Sequence, residues 1–315
     1  MHVFSTLTPI VLVIALGTAL RGSGFVTAGL FRETNRLVYW VGLPCLLFYK
    51  IAGTDIQYGI ALRICGTLAV GTVACLVLAY VLCWLMRLQR HEQGAFVQGA
   101  YRGNLAYVGL PVVLYSLDGL AGSSMSAADG VAVVSIAPLI PFYNISAVIV
   151  LLWGQHRDGD ASAGERIGQV MRRLWTNPLI IACVLGIAYS LTDYALPAVF
   201  RRTFVTIGQM ALPLALLGIG ATLSPGALRG HLCTATVAAS IKVVAAPLAG
   251  YVAGRALGLS GPELRIALLY LACPTAISSV ILAEQLNAHR NLGSSIVVVS
   301  TLLAVPVLGV ILYLL

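Results

Sequence analysis

Long apolar runs separated by short polar connections dominate the chain and predict ten membrane-spanning helices. Most runs hold about 20 residues, the length that an α-helix needs to cross the hydrocarbon core of a bilayer. One longer hydrophilic stretch, residues 154–170, divides the spans into two sets of five. The predicted spans are 4–20, 35–53, 61–86, 91–117, 128–153, 171–192, 200–224, 231–256, 262–287 and 292–315.

The two sets of spans repeat one another, which predicts a first repeat over 1–153 and a second over 171–315. Short matches recur in the same order at offsets of 165 to 171 residues. Because five is an odd number, the second copy must enter the membrane from the opposite side. Inverted repeats with interrupted helices are typical of secondary transporters, whose substrate binds near the midplane. The matching pairs are Thr8-Pro9 with Asn177-Pro178, Leu43-Pro44 with Leu212-Pro213, Gly103-Asn104 with Pro274-Thr275, and Val133-Val134-Ser135 with Val298-Val299-Ser300.

Spans four and nine, at corresponding places in the repeats, carry helix-breaking residues at their centres. Gly103 weakens a helix by about 1 kcal/mol relative to alanine, and Pro274 lacks a backbone donor and clashes with the preceding turn. We predict two broken helices whose second halves direct N–H groups and positive dipole ends at a central site. The alternative for each is an ordinary kink. The candidate side-chain donors beside the breaks are Asn104, Thr275, Ser278 and Ser279.

Composition and charge agree with a membrane protein. Of the 315 residues, 59% are hydrophobic and 10% are charged, whereas a soluble domain carries about 25% charged residues. The net charge of +8 comes from single basic residues between spans, which is typical of loop charge that sets topology rather than of nucleic-acid binding. Eleven Lys and Arg residues lie in odd-numbered connections and six in even-numbered ones. This bias predicts a cytoplasmic linker and both termini outside.

Arg102 and Lys242 are the two basic residues that lie well inside predicted spans, near the span centres rather than the ends. A charge at that depth costs about 3 kcal/mol on insertion scales, so it usually has a pairing or functional reason. No Asp or Glu lies near the middle of any span, so we predict that a bound anion supplies the negative charge. The alternative is that either cation snorkels or bonds to carbonyls of the broken helices. Asn144 is a further candidate for the path, or an interhelical hydrogen-bond partner.

Sequence motifs argue against an enzyme. The chain has no zinc-protease, dinucleotide, P-loop or nucleophile-elbow motif, and no nucleophile with an evident base, so we expect no metal and no cofactor. The seven cysteines lie in or beside apolar spans without metal-ligand spacing. The five histidines lie near span ends, where ordinary solvated side chains are expected.

Short stretches along nearly the whole chain resemble the auxin efflux carrier family, which includes the plant PIN proteins and bacterial dicarboxylate permeases. The resemblance implies an all-α fold like that of sodium–proton antiporters and bile-acid symporters, with broken helices 4 and 9 crossing. It also implies an elevator-like transport domain of helices 3–5 and 8–10, a scaffold of helices 1, 2, 6 and 7 that often forms dimers, and carboxylate binding near Asn104 and Pro274. The matching stretches are residues 104–111, Asn177-Pro178, residues 211–223, Lys242 with Pro247, and residues 273–284.

Position 103 departs from the plant members, which have proline before the crossover asparagine. Here Gly103 follows Arg102, which favours a small, more highly charged anion over auxin. The sequence therefore predicts a transporter of a small carboxylate, such as malate or malonate, in a bacterial inner membrane. A membrane sensor or channel of the same fold, and a bile-acid-type sodium symporter, are the alternatives.

Overall fold

Helices account for most of the chain that the computed structural model describes, namely residues 2–52, 57–121, 127–153, 176–192, 194–222, 231–280 and 289–315. Wider π-helical turns lie at Val38–Gly42, Leu105–Gly109 and Ile241–Ala245. The α-helices are α1 (His2–Gly22), α2 (Ala28–Leu37), α3 (Leu43–Ala52), α4 (Tyr58–Leu85), α5 (Arg90–Tyr101), α6 (Leu110–Ala121), α7 (Ala127–Ile136), α8 (Leu139–Trp153), α9 (Pro178–Ser190), α10 (Ala198–Thr222), α11 (Leu232–Ser240), α12 (Ala246–Ala256), α13 (Gly261–Ala272) and α14 (Arg290–Leu314).

Several helices have the length and apolar surface of membrane spans. In the described part of the chain, large apolar side chains such as Leu62 and Trp84 of α4 stand exposed, as expected for a surface that faces lipid. The chain is therefore a multi-pass membrane protein, and the arrangement of ten spans as inverted repeats stays a prediction. The five segments long and apolar enough to cross a membrane are Tyr58–Leu85, Ala128–Ala147, Ala198–Thr222, Leu232–Ala256 and Asn291–Leu314, and shorter apolar helices cover Leu7–Gly22, Leu105–Leu117 and Pro178–Ser190.

The helices group into two compact units, each of which draws on both halves of the sequence. Unit 1 comprises Met1–Leu62, Ala106–Pro138 and Trp175–Leu223. It therefore holds α1 to α3, α6, α7, α9 and α10. Unit 2 comprises Arg63–Leu105, Leu139–Leu174 and Ser224–Leu315, and it holds most of α4 with α5, α8 and α11 to α14.

Unit 1 is packed through close backbone contact between α1 and α10. A Cβ atom added at Gly17 would collide with the carbonyl oxygen of Leu217, and one added at Gly220 would collide with that of Ile14. Thr18 Oγ1 also donates a hydrogen bond to the Gly220 carbonyl at 2.8 Å. Small residues at such contacts let apolar helices approach closely, which is how helices pack inside a membrane.

A largely buried ion pair in unit 1 was not predicted from the sequence. Lys50 Nζ of α3 lies 2.6 Å from Asp129 Oδ2 of α7, and the two side chains are 13% and 3% exposed. The topology count treats Lys50 as a loop charge, but in the structure its charge is matched by a buried carboxylate. Asp129, at the end of a predicted span, is the acid that the sequence analysis did not consider.

Buried polar groups in unit 2 attach α4 and α5 to α8. Gln98 Nε2 donates to the Ala147 carbonyl at 3.1 Å, and the hydroxyl groups of Tyr101 and Ser146 lie 2.9 Å apart. Thr72 Oγ1 and the Tyr143 hydroxyl form a further bond at 3.2 Å. Because buried polar atoms are costly unless they are bonded, these contacts fix the C-terminal end of α5 in place.

Candidate functional site

The predicted interruption of span four is present at the end of α5. The helix stops at Tyr101, and Arg102 takes extended backbone angles of φ −81° and ψ 95°. Helical backbone resumes at Leu105 as a π-helical turn. Arg102 and Asn104 are 6% and 5% exposed, so this non-helical backbone lies inside the protein.

Span nine is interrupted in the same way after α13. The helix stops at Ala272, and Cys273 is extended, with φ −63° and ψ 147°. Pro274 and Thr275 follow without helical geometry, and residues 278–280 are helical again. Thr275 is 1% exposed. The second break is therefore as deeply buried as the first.

The two breaks pair with each other through their backbones. Gly103 and Thr275 form an isolated antiparallel bridge. The Asn104 N–H donates to the Pro274 carbonyl at 2.8 Å, and the Ala276 N–H donates to the Arg102 carbonyl at 2.9 Å. Non-helical backbone at membrane depth requires partners of this kind, because lipid offers none.

Thr275 ties this crossing to two neighbouring helices of unit 2. Its hydroxyl donates to the Gly99 carbonyl of α5 at 2.6 Å, and its N–H donates to Ser300 Oγ of α14 at 3.0 Å. Ser300 Oγ lies 3.1 Å from the Val297 carbonyl, to which it donates in turn. The sequence predicts Thr275 as a donor to substrate, whereas its one hydroxyl proton is engaged by Gly99 in this structure. A direct role for Thr275 in binding stays a prediction.

Lys242 lies against the crossing from the π-helical turn between α11 and α12. Its side chain is 1% exposed, and its ammonium donates to the Leu271 carbonyl in the last turn of α13. A Cβ atom added at Gly103 would lie 2.8 Å from Lys242 Cε. Bonding to a broken-helix carbonyl is one of the two readings that the sequence leaves open for Lys242. A cation there also opposes the negative end of the α13 dipole, and its ammonium has further N–H donors.

The remaining predicted site residues differ in their placement. Ser279 is 4% exposed, and its buried Oγ has no hydrogen-bond partner among the described residues. Ser278 is exposed. Asn144 lies in α8, but its side chain is outside those that the structure describes. The partners supplied by Gly99 and Leu271 were missed, because a backbone carbonyl leaves no signal in a sequence pattern.

The crossing has a positive electrostatic character. Among the described residues of unit 2, those that are both charged and buried are Arg102 and Lys242. Arg102 directly precedes Gly103 in the chain, and the Lys242 side chain packs against Gly103. Charge-assisted hydrogen bonds to cations are roughly twice as strong as neutral ones. The geometry is therefore suited to holding an anion.

Comparison with known proteins places the chain among membrane carriers. A family model described as "Membrane transport protein" matches residues 2–312. Auxin efflux carrier component 3a of Oryza sativa subsp. japonica is 28% identical over 162 residues, which is 49% of this chain and 26% of that protein. Auxin efflux carrier component 4 of Arabidopsis thaliana is 30% identical over 144 residues, which is 44% of this chain and 23% of that protein. The matches thus span about a quarter of each plant carrier.

A bacterial relative matches over a much larger share of both chains. A protein of Rhizobium meliloti (strain 1021) named "Putative malonate transporter" is 23% identical over 283 residues, which is 89% of this chain and 85% of that protein. The family match covers almost the whole chain, so the resemblance drawn from the sequence is confirmed. The chain belongs to the membrane transport protein family, which includes the auxin efflux carriers.

Proposed function

We propose that the protein is a secondary transporter of a small organic anion, with its substrate site at the crossing of the two broken helices. The observation that carries this proposal is the backbone pairing of Gly103 with Thr275 beside two buried cations. Interrupted helices in carriers place half-helix ends and released backbone groups around a substrate. The chain belongs to a family of membrane transport proteins, which supports the interpretation of this arrangement as a substrate site.

Arg102 is the residue that we assign to the substrate carboxylate. A guanidinium presents N–H groups in a planar fork that matches a carboxylate with two parallel hydrogen bonds. Lys242 adds positive potential at Gly103, and the Ser279 hydroxyl supplies a buried donor that has no other partner in the described structure. Asn104 completes the predicted set, at the end of the extended segment that carries Arg102.

A dicarboxylate such as malonate or malate suits this set best. Arg102 and Lys242 provide more positive charge beside Gly103 than a single carboxylate needs. Because glycine has no side chain, little bulk separates the two cations. The printed name of the Rhizobium meliloti relative refers to malonate. The plant relatives that are named for auxin match less than half of this chain.

Alternating access would follow from movement of the helices that carry the crossing. Both breaks and both cations belong to unit 2, which supports a transport domain built around them that moves as an elevator. The predicted domain comprises spans 3–5 and 8–10, whereas α6 and α7, parts of spans 4 and 5, group with unit 1. Spans 1, 2, 6 and 7 would form the scaffold and a homodimer contact. In a bacterial inner membrane, the proposed orientation puts the linker in the cytoplasm and both termini outside.

A thermal-shift screen on the purified protein tests the substrate assignment. We expect malonate or malate to raise the melting temperature more than acetate or indole-3-acetate does. A ligand that binds only the folded state adds about 2.7 kcal/mol of stability at a hundred times its Kd. Arg102→Ala should abolish the shift, whereas Arg255→Ala, an exposed arginine of the same unit, should keep it.

Transport assays in proteoliposomes separate the proposal from its alternatives. Saturable uptake of labelled malonate that is lost in Arg102→Ala is the expected result. Binding without uptake would favour a sensor, and conductance without saturation would favour a channel. An Arg102→Ala protein that folds and binds dicarboxylates with unchanged affinity would refute the assigned site.

A further inference from the structure

Three histidines and a glutamate of unit 2 converge at the starts of α5, α11 and α14. His91 and Glu92 lie in the first turn of α5, His231 precedes α11, and His289 precedes α14. The sequence analysis treats each histidine as an ordinary solvated side chain near a span end. The structure instead brings imidazoles from three separate connections to one place.

The side chains are close enough to share one ion. Ligand atoms of His91, Glu92 and His289 all lie within 4.8 Å of one another. The ring centroid of His231 lies 4.6 Å from that of His289, and its Nδ1 is 4.0 Å from Glu92 Oε1. The rings of His91 and His289 are 5.2 Å apart between centroids.

Backbone contacts hold this cluster and orient its members. The His289 N–H donates to the His91 carbonyl at 3.3 Å, which ties the start of α14 to the start of α5. The Leu292 N–H donates to His289 Nδ1 at 3.3 Å, so Nε2 carries the proton of the neutral ring, and His289 must give up this bond to coordinate an ion. Glu92 Oε2 accepts from the Gln89 N–H at 3.3 Å, which leaves Oε1 facing His231. A hydrogen-bonded carboxylate of this kind is typical of metal ligands.

We infer that His91, Glu92, His231 and His289 form a binding site for a divalent transition-metal ion, with zinc as the best-fitting ion. Three imidazole nitrogens and one carboxylate oxygen are ligands that zinc takes in tetrahedral sites. A bound ion would join the N-terminal ends of α5, α11 and α14 and would stabilise this part of unit 2.

Zinc–ligand distances near 2.1 Å correspond to ligand atoms about 3.4 Å apart, so His91, Glu92 and His289 must approach one another by up to about 1.4 Å. His231 lies outside that group of three and must move towards it as well. His91 is exposed, and His231 and Glu92 keep 24% and 19% side-chain exposure, so rotamer changes can supply that movement.

Cobalt titration of the tag-free full-length protein tests the inference. Co²⁺ is the optical probe, because its visible absorption is strong in tetrahedral sites and weak in octahedral ones. We expect one Co²⁺ per chain with the strong spectrum, its loss on addition of one equivalent of Zn²⁺, and a rise in melting temperature with Zn²⁺. His91→Ala and Glu92→Gln should each weaken binding about tenfold or more.

Two controls keep the outcome interpretable. His156→Ala, in the linker outside the described residues, should bind Co²⁺ like the wild type. His91 is exposed, so the metal-free melting temperature of His91→Ala should match the wild type, which separates lost binding from misfolding. The inference is overturned by a weak, non-saturating spectrum, or by His91→Ala and Glu92→Gln proteins that bind as tightly as the wild type.

Discussion

The substitution Gly103→Ala tests whether the crossing depends on close approach of Lys242 to the backbone. The added Cβ would lie 2.8 Å from Lys242 Cε, 3.0 Å from Cys273 Sγ and 3.2 Å from Lys242 Nζ. Optimal carbon contacts lie at about 3.5–4.0 Å, so these atoms would have to retreat by several tenths of an ångström or more. Gly103 does not have a positive φ angle, so the expected cost arises from packing rather than from backbone strain.

The atoms around Gly103 have little room to yield. Lys242 is 1% exposed and is bonded to the Leu271 carbonyl, and Cys273 is fully buried. Overpacking a buried site costs about 1–3 kcal/mol, and losing a hydrogen bond from a charged donor costs about 1.5–3 kcal/mol. Because the two effects are alternative ways of relieving one clash, we expect a loss of about 2–3 kcal/mol in unfolding free energy.

Thermal unfolding in detergent measures this loss against a matched glycine. At Gly59, at the start of α4, an added Cβ meets no atom within 4 Å, so Gly59→Ala should be neutral or stabilising. For a chain of 315 residues, with an unfolding entropy of about 2.1 cal/mol/K per residue, the expected loss at Gly103 corresponds to a fall of about 3–5 °C in Tm. A Gly103→Ala protein that melts with the wild type and keeps its dicarboxylate shift would show that Lys242 is not confined, and would refute this account of the crossing.

Two further substitutions probe buried bonds in each unit. Asp129→Asn removes the carboxylate that lies 2.6 Å from the Lys50 ammonium and should lower the unfolding free energy by about 3–5 kcal/mol, whereas Glu33→Gln, in an exposed pair, should change it by less than about 1 kcal/mol. Thermal unfolding checks both, and recovery in the Lys50→Met/Asp129→Leu double variant would support the ion pair, while an unchanged Tm for Asp129→Asn would contradict it. Thr275→Val keeps the shape of the side chain but removes its bond to Gly99, so we expect a loss of about 1–3 kcal/mol. Equal stability of this variant and the wild type, by the same measurement, would mean that Thr275 does not hold the crossing together.

The positions of the two breaks could be predicted because their causes are local. Glycine and proline weaken a helix, and Gly103 and Pro274 also occupy corresponding span centres in the two repeats, which marks them as interruptions. Proline alone is not enough, because Pro9, Pro213 and Pro306 lie inside continuous helices. The buried cations could be predicted as well, since Arg102 and Lys242 stand inside apolar runs. The order of the matching stretches along the chain was enough to identify the family.

Partners contributed by distant parts of the chain could not be predicted. Lys50 and Asp129 are 79 positions apart, and each stands near the end of a predicted span, where a solvated charge is the simpler expectation. The histidine cluster could not be predicted for the same reason, because His91 and His289 become neighbours only when their helices pack together. The bond from Lys242 to the Leu271 carbonyl involves main-chain chemistry that every residue shares.

Two of the hydrogen bonds that join the broken helices involve main-chain atoms alone. The donors are the N–H groups of Asn104 and Ala276, and the acceptors are the carbonyls of Pro274 and Arg102. Proline lacks an N–H but keeps its carbonyl, and this carbonyl is the group of Pro274 that bonds at the junction. The two main-chain bonds do not depend on which side chains border them, whereas the Thr275 hydroxyl adds a side-chain bond to Gly99. Substrate preference could therefore drift by exchange of those side chains while the join between the helices persists.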